Sequence, residues 1–139
     1  MSAVASNRDD VLHRWYAAMT TGAVADLRAV VTEDIIATWN GDPALIPWAG
    51  RHSGIEVVGS LFATLSHNVE VVSLTPVDKI AAADAVVVIV EGKWRVRDTD
   101  TIFSARACNV VRVRGDRVAS YEVFNDTAPF AAALAGAGR

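Results

Sequence analysis

The chain has 139 residues, 52% of them hydrophobic, with a formal charge of -3 at pH 7 and a pI near 5.5. That is enough chain to bury a core without help, so 1–139 reads as one domain with fraying ends at 1–6 and 136–139. The acidic balance argues against nucleic acid as a partner, and the lone Cys108 excludes an internal disulfide and fits a reducing compartment.

The opening MSAVASNRDD lacks the apolar run of a signal peptide, and the apolar stretch at 81–90 is broken by Asp84 and too short to span a bilayer. The expectation is a soluble cytoplasmic protein without membrane contact. Ser6 or Asn7 can cap a first helix, with Asp9 and Asp10 near its positive end. Val11, Trp15 and Met19, with Leu12 and Tyr16 beside them, make its apolar stripe, and Gly22 is a natural stop. A short second helix places Val24, Leu27 and Val31 inward. Thr32-Glu33-Asp34 then turns the chain into a strand over 35–40.

The segment 40–50 holds Gly41, Pro43, Pro47 and Gly50, which exclude regular structure, yet also Leu45, Ile46 and Trp48. It reads as a loop folded over something apolar. Ser53-Gly54-Ile55-Glu56 has the spacing of a capping box, opening a third helix that buries Ile55, Val58, Leu61, Phe62 and Leu65. Strands follow over 69–75, 85–97, 101–114 and 117–125, with turns at 83–84, 98–100 and 115–116. An alanine-rich tail, 128–134, can add a last helical turn or two.

Helices segregated from antiparallel strands make an α+β layer. Alternation puts Val86, Val88, Val90, Trp94 and Val96 on one face, against Glu91, Lys93, Arg95 and Arg97 on the other. The next strand sets Phe103, Ala105, Ala107, Asn109, Val111 and Val113 against Arg106, Arg112 and Arg114. One face is core and the other charged. The arginines have no aromatic among them, so a solvated or dimerising surface fits better than RNA.

Several segments together resemble SnoaL-like proteins: Trp15-Tyr16-Ala17-Ala18-Met19-Thr20-Thr21-Gly22, Thr32-Glu33-Asp34, Pro47-Trp48-Ala49-Gly50, Gly115-Asp116-Arg117-Val118 and Phe124-Asn125-Asp126-Thr127. These belong to the superfamily of nuclear transport factor 2-like folds that includes the ketosteroid isomerases. The resemblance implies a cone-shaped, curved, mostly antiparallel sheet wrapped around three N-terminal helices. It also implies a deep apolar pocket and a homodimer through the outer sheet face. It does not fix a reaction, because that fold hosts isomerases, polyketide cyclases, dehydratases, epoxide hydrolases and plain binders.

A ketosteroid isomerase needs an aspartate base, with a tyrosine and a protonated acid as oxyanion donors. Matching the motifs puts Trp15, Trp39 and Asn109 at the tyrosine, base and acid positions. Indole is no base and an amide no acid, so that mechanism is disfavoured. On the last strand the inward set is Tyr121, Val123 and Asn125, with Val123 where related hydrolases and cyclases place a carboxylate. A one-residue bulge would bring Glu122 inward instead.

Trp15, Tyr16, Trp39, Trp48, Phe62 and Trp94, with Val111, Val123 and Asn125, are the candidate ligand-binding residues. Each aromatic also reads as ordinary core, which suits Trp15 best, whereas Trp39 and Trp48 suit a pocket. Asn109, alone among small apolar neighbours, is either a structural tie or a ligand-orienting group. With Tyr121 and Asp126 it forms the candidate catalytic set. Asp126 either caps the last helix or, as the resemblance implies, is the aspartate near the pocket mouth. Asp42 is a second acid/base candidate, although it also reads as a turn residue. His13, His52 and His67 read as surface groups without metal-ligand spacing, and no cofactor motif is present. The leading reading is a cofactor-independent acid/base enzyme of isomerase, cyclase, dehydratase or hydrolase type. A non-catalytic binder of the same fold is the alternative, and a solid-cored interaction module a third.

Overall fold

The computed structural model describes residues 3–21 and 23–136, with side chains described from Asp9 onward. Helix α1 (Ala3–Thr21) buries Val11, Leu12, Trp15 and Ala18, one stripe of a 3.6-residue period. It starts earlier than expected, so Ser6 and Asn7 lie inside it rather than capping it. The helix ends at Thr21; the proposed stop, Gly22, lies outside the described residues. Helix α2 (Val24–Arg28) buries Leu27.

Strand β1 (Val31–Trp39) includes the Thr32-Glu33-Asp34 segment expected to be a turn. Its parallel partner reaches back to Val118, opposite Val31, so ladder bonds extend the strand past its polar residues. Strand β2 (Gly50–Ser53) was not legible in sequence and pairs antiparallel with β1, Trp39 opposite Gly50. Because Ser53 belongs to that ladder, the expected capping box does not form. Gly54, at φ +89°, opens α3 (Ile55–Asn68) without a side-chain cap.

Strand β3 (Val69–Ala81) runs beyond the expected 69–75 and is exposed along nearly all its length. It is an edge strand with register shifts between Val71 and Ser73 and between Pro76 and Asp78, so period-two alternation disappears from its sequence. Strands β4 (Ala85–Val96), β5 (Ile102–Arg114) and β6 (Arg117–Asn125) follow, then helix α4 (Thr127–Ala135). The sheet order is β2-β1-β6-β5-β4-β3, with β1 and β6 parallel and the other neighbours antiparallel.

Helices α1, α3 and α4 pack on one face, where Val86, Val88, Val90, Ala107 and Val111 are buried. The opposite face carries ion pairs such as Arg106–Glu91 at 3.7 Å and Arg112–Asp84 at 3.4 Å. It is not charged throughout. Ile89, Cys108 and Phe124 stand side by side across three strands, and Phe124 is 49% exposed. Among the described residues no helix is long and apolar enough to cross a membrane.

Candidate functional site

Strand register lines up one row of inward side chains: Val88 on β4, Asn109 on β5, Val123 on β6 and Trp39 on β1. Between this row and the helices lies a cavity of about 750 Å³, within the range of small-molecule sites. Its walls include Phe62 of α3, Trp94 of β4 and Phe130 of α4. Its rim is formed by α1 and β3, where Lys79 Nζ meets Asp9 Oδ1 at 3.0 Å. Trp94 lies flat against its own strand because Gly92 has no side chain. A Cβ there would sit 2.1 Å from the indole, so the glycine is what lets the ring form wall.

The polar groups of the cavity are few. Asn109, 3% exposed, is the buried polar side chain of the described residues, and its Nδ2 donates to Tyr16 Oη at 2.9 Å. Asn109 Oδ1 is buried with no partner. Burial holds the Tyr16 hydroxyl above its ordinary pKa of 10.0, partly offset by the Asn109 bond and, less, by Tyr121 donating toward the same oxygen. Burial likewise pushes Tyr121 well above 10.0, with the proximity of Tyr16 adding to it. Both tyrosines are therefore neutral hydrogen-bond groups at physiological pH.

A second polar position is held by a backbone brace. Asn40 Nδ2 donates to the Asn125 carbonyl and Asn40 Oδ1 accepts from the Asn125 amide, each at 3.0 Å. This fixes the end of β6, where Asn125 lines the cavity and leaves its Oδ1 without a partner. Trp39 Nε1, on the facing strand, is also buried and unpaired. The ionisable groups besides the tyrosines, Asp9, His13 and Lys79, all sit at the rim. Among the described residues no group of His, Cys, Asp or Glu could hold a metal ion.

Of the sequence candidates, the structure brings Tyr16, Trp39, Phe62, Trp94, Asn109, Tyr121, Val123 and Asn125 to this cavity. Four others do not line it. Trp15, fully buried, packs edge-on to Phe62 and Tyr121 behind the wall, so the residue of α1 that faces the cavity is Tyr16. Val111 points inward too, but one row below Asn109, in solid core beside Tyr121. Trp48 is buried, yet its ring meets Phe130 at 6.1 Å; the 40–50 connection covers α4 rather than the cavity, and Phe130 supplies the wall. Asp126 is exposed at the start of α4 and its side chain caps nothing, so the structure brings no carboxylate from there.

Glu122 also stays on the outer side. A register shift does occur in β6, but between Val118 and Ser120, where it leaves Tyr121, Val123 and Asn125 inward. Asp42 is a turn residue, accepting from the amides of Ala44, Leu45 and Ile46. His52 Nε2 bonds the Trp48 carbonyl at 3.0 Å and does not reach the cavity. Asn40, Phe130 and the β3 rim were missed from sequence. Phe130 had a signal, as the one aromatic in an alanine-rich tail.

The SnoaL-like domain family matches residues 12–121. A crystal structure of an NTF2-like protein from Burkholderia xenovorans LB400 is 28% identical, with 93% of this chain and 96% of that one covered at a TM-score of 0.82. A protein with a ketosteroid isomerase-like fold from Catenulispora acidiphila DSM 44928, in complex with trimethylamine, is 17% identical over 90% and 92% of the chains, TM-score 0.73. TerC, co-crystallised with polyporic acid, is 15% identical over 94% and 99%, TM-score 0.76. A search of curated protein sequences found no match.

Proposed function

We propose, on the premise that this chain belongs to the SnoaL-like domain family, that its cavity holds a flat, neutral, largely apolar small molecule by one oxygen-bearing end. The observation behind this reading is the Tyr16 hydroxyl, which accepts a hydrogen bond from Asn109 Nδ2 in a largely apolar cavity and can donate its own hydrogen to a bound acceptor. A hydroxyl polarised in this way, among apolar walls, is a stronger donor than in bulk solvent. Aromatic walls at Trp39, Phe62, Trp94 and Phe130 suit a planar ligand. That TerC was co-crystallised with polyporic acid supports the idea that this fold accommodates small organic molecules.

The test uses 2-naphthol as probe, followed by quenching of tryptophan fluorescence. Saturable quenching is expected, and it should be lost in Ala107→Phe, which fills the cavity beside Asn125, provided circular dichroism shows that variant folded. Quenching unaffected by the filled cavity would sink the reading.

The same Tyr16 hydroxyl favours a second reading, acid/base turnover, because a donor that polarises a carbonyl is half of an enolisation site. No carboxylate lies at depth, so the proton acceptor would have to be His13 or Asp9 at the rim. A ligand recovered chemically altered, as seen by mass spectrometry, separates enzyme from binder. We also propose a homodimer through the Ile89–Cys108–Phe124 row. The Arg106–Glu91 pair beside it presents both charges, which a twofold axis would set against their opposites on a second copy, and light scattering reads the mass directly.

A further inference from the structure

We infer that the deep end of the cavity recognises a neutral edge on which a carbonyl oxygen and an N–H or O–H stand side by side, as in a lactam or an enolised diketone. This deepens the small-molecule reading above and rests on it. The starting point is a buried atom without a partner. Asn109 Oδ1 is a buried acceptor on a residue that lines the cavity, and nothing among the described residues donates to it. Leaving such a group unpaired is costly, so a ligand that supplies the missing hydrogen gains over one that does not.

Its neighbour offers the opposite. Tyr16 Oη accepts from Asn109 Nδ2, and its own hydrogen can turn either to the neighbouring Tyr121 oxygen or to a ligand in the cavity. A donor and an acceptor therefore sit next to each other, joined by one 2.9 Å hydrogen bond. A carboxylate would set oxygen against Asn109 Oδ1 with no cation at depth to offset its desolvation. A plain ketone satisfies Tyr16 and leaves Asn109 unpaired; a plain alcohol or phenol can donate to Asn109 but accepts only weakly. The complementary edge is a neutral cis-amide or its enol equivalent.

Two bicyclic probes of one shape isolate this feature. Quinolin-2(1H)-one has the carbonyl beside an N–H, and coumarin has the same carbonyl beside a ring oxygen. The lactam is expected to bind the unmodified protein at least about tenfold more tightly, the ratio that one satisfied buried acceptor produces. Asn109→Leu should bring the ratio close to one, largely by weakening the lactam, while Tyr16→Phe should weaken both probes. The ratio in the unmodified protein stands alone if either variant fails to fold.

Equal affinities, or a preference for coumarin, overturn the inference and leave the pocket reading intact; coumarin preference would mean the Asn109 amide turns its NH₂ to the ligand. Binding of 2-naphthol without either bicycle also overturns it. If none of the three binds, the pocket reading itself has failed.

Discussion

Cys108 and Asn109 are consecutive residues on one strand, yet they sit in opposite kinds of surroundings. Asn109 is a polar group in an apolar row, flanked by Val88 and Val123 and closed over by helices. Cys108 lies in an apolar row, between Ile89 and Phe124, on a face edged with ion pairs such as Arg106–Glu91. The pleat alone separates them. Inside, the low dielectric makes a single amide valuable as a recognition point; outside, solvent makes the same polarity nearly worthless, and apolar area is what can drive contact.

The largest expected difference is between Asn109→Asp and Cys108→Asp. A carboxyl at 109 loses its hydration on folding, so its pKa rises above the unfolded value of about 3.9. The penalty is absent below that pH and grows as pH rises toward neutrality, reaching about 3 kcal/mol if the shift is roughly two units. Cys108→Asp should cost under about 1 kcal/mol with little pH dependence. Urea unfolding at pH 4 and pH 7 measures both, and equal costs at the two sites would contradict the assignment of faces.

Next comes Gly92→Ala against Glu91→Ala. A methyl at 92 must push Trp94 off the cavity wall, at about 1–3 kcal/mol of overpacking, with a change in tryptophan emission. Removing the exposed Glu91 side chain should stay within about 0.5 kcal/mol.

The tyrosines sharpen the inner-face picture without any mutation. The chain has two, Tyr16 and Tyr121, and both belong to the cavity. Their folded pKa values are raised above 10.0, so below that pH they add no pH dependence. Above it the unfolded chain ionises first, and stability falls by up to about 1.4 kcal/mol per pH unit for each residue. Phenolate absorbance should accordingly lag behind that of free tyrosine and rise together with unfolding. Ionisation of one tyrosine near pH 10 in the folded protein would contradict its burial.

The smallest effect belongs to the rim. Lys79→Met removes the partly exposed ion pair with Asp9 and should change stability by less than about 1 kcal/mol. Stopped-flow binding of 2-naphthol would then show whether the α1–β3 contact limits entry.

Much of this was legible in the chain itself. Alternation along 85–96 and 102–114 named the inward residues, including Asn109, because a strand's period of two is independent of what it packs against. Helix stripes on α1 and α3 were legible for the same reason. Edge strand β3 was legible only over 69–75: beyond that, exposure along nearly its whole length and two register shifts leave its residues no burial pattern to display. Strand β2 was hidden by its length of four residues and by the Ser53-Gly54-Ile55-Glu56 spacing, which reads as a helix start.

Composition and spacing alone settled which residues are apolar, which strands alternate and that 40–50 folds over something apolar; of Leu45, Ile46 and Trp48 there, the structure buries the last two and leaves Leu45 exposed. Tertiary packing decided the rest of the site. Trp15 and Tyr16 are about 100° apart on one helix, and the rotation of α1 against the sheet is what turns the hydroxyl rather than the indole into the cavity. Val111 and Asn109 share a face, and only the depth at which the helices close over them makes one solid core and the other cavity wall. Trp48 was expected against something apolar, but α4 folding back decided that it meets Phe130. Periodicity is a local property of backbone geometry, whereas an empty volume belongs to no single segment and exists only once several elements fail to fill the space between them.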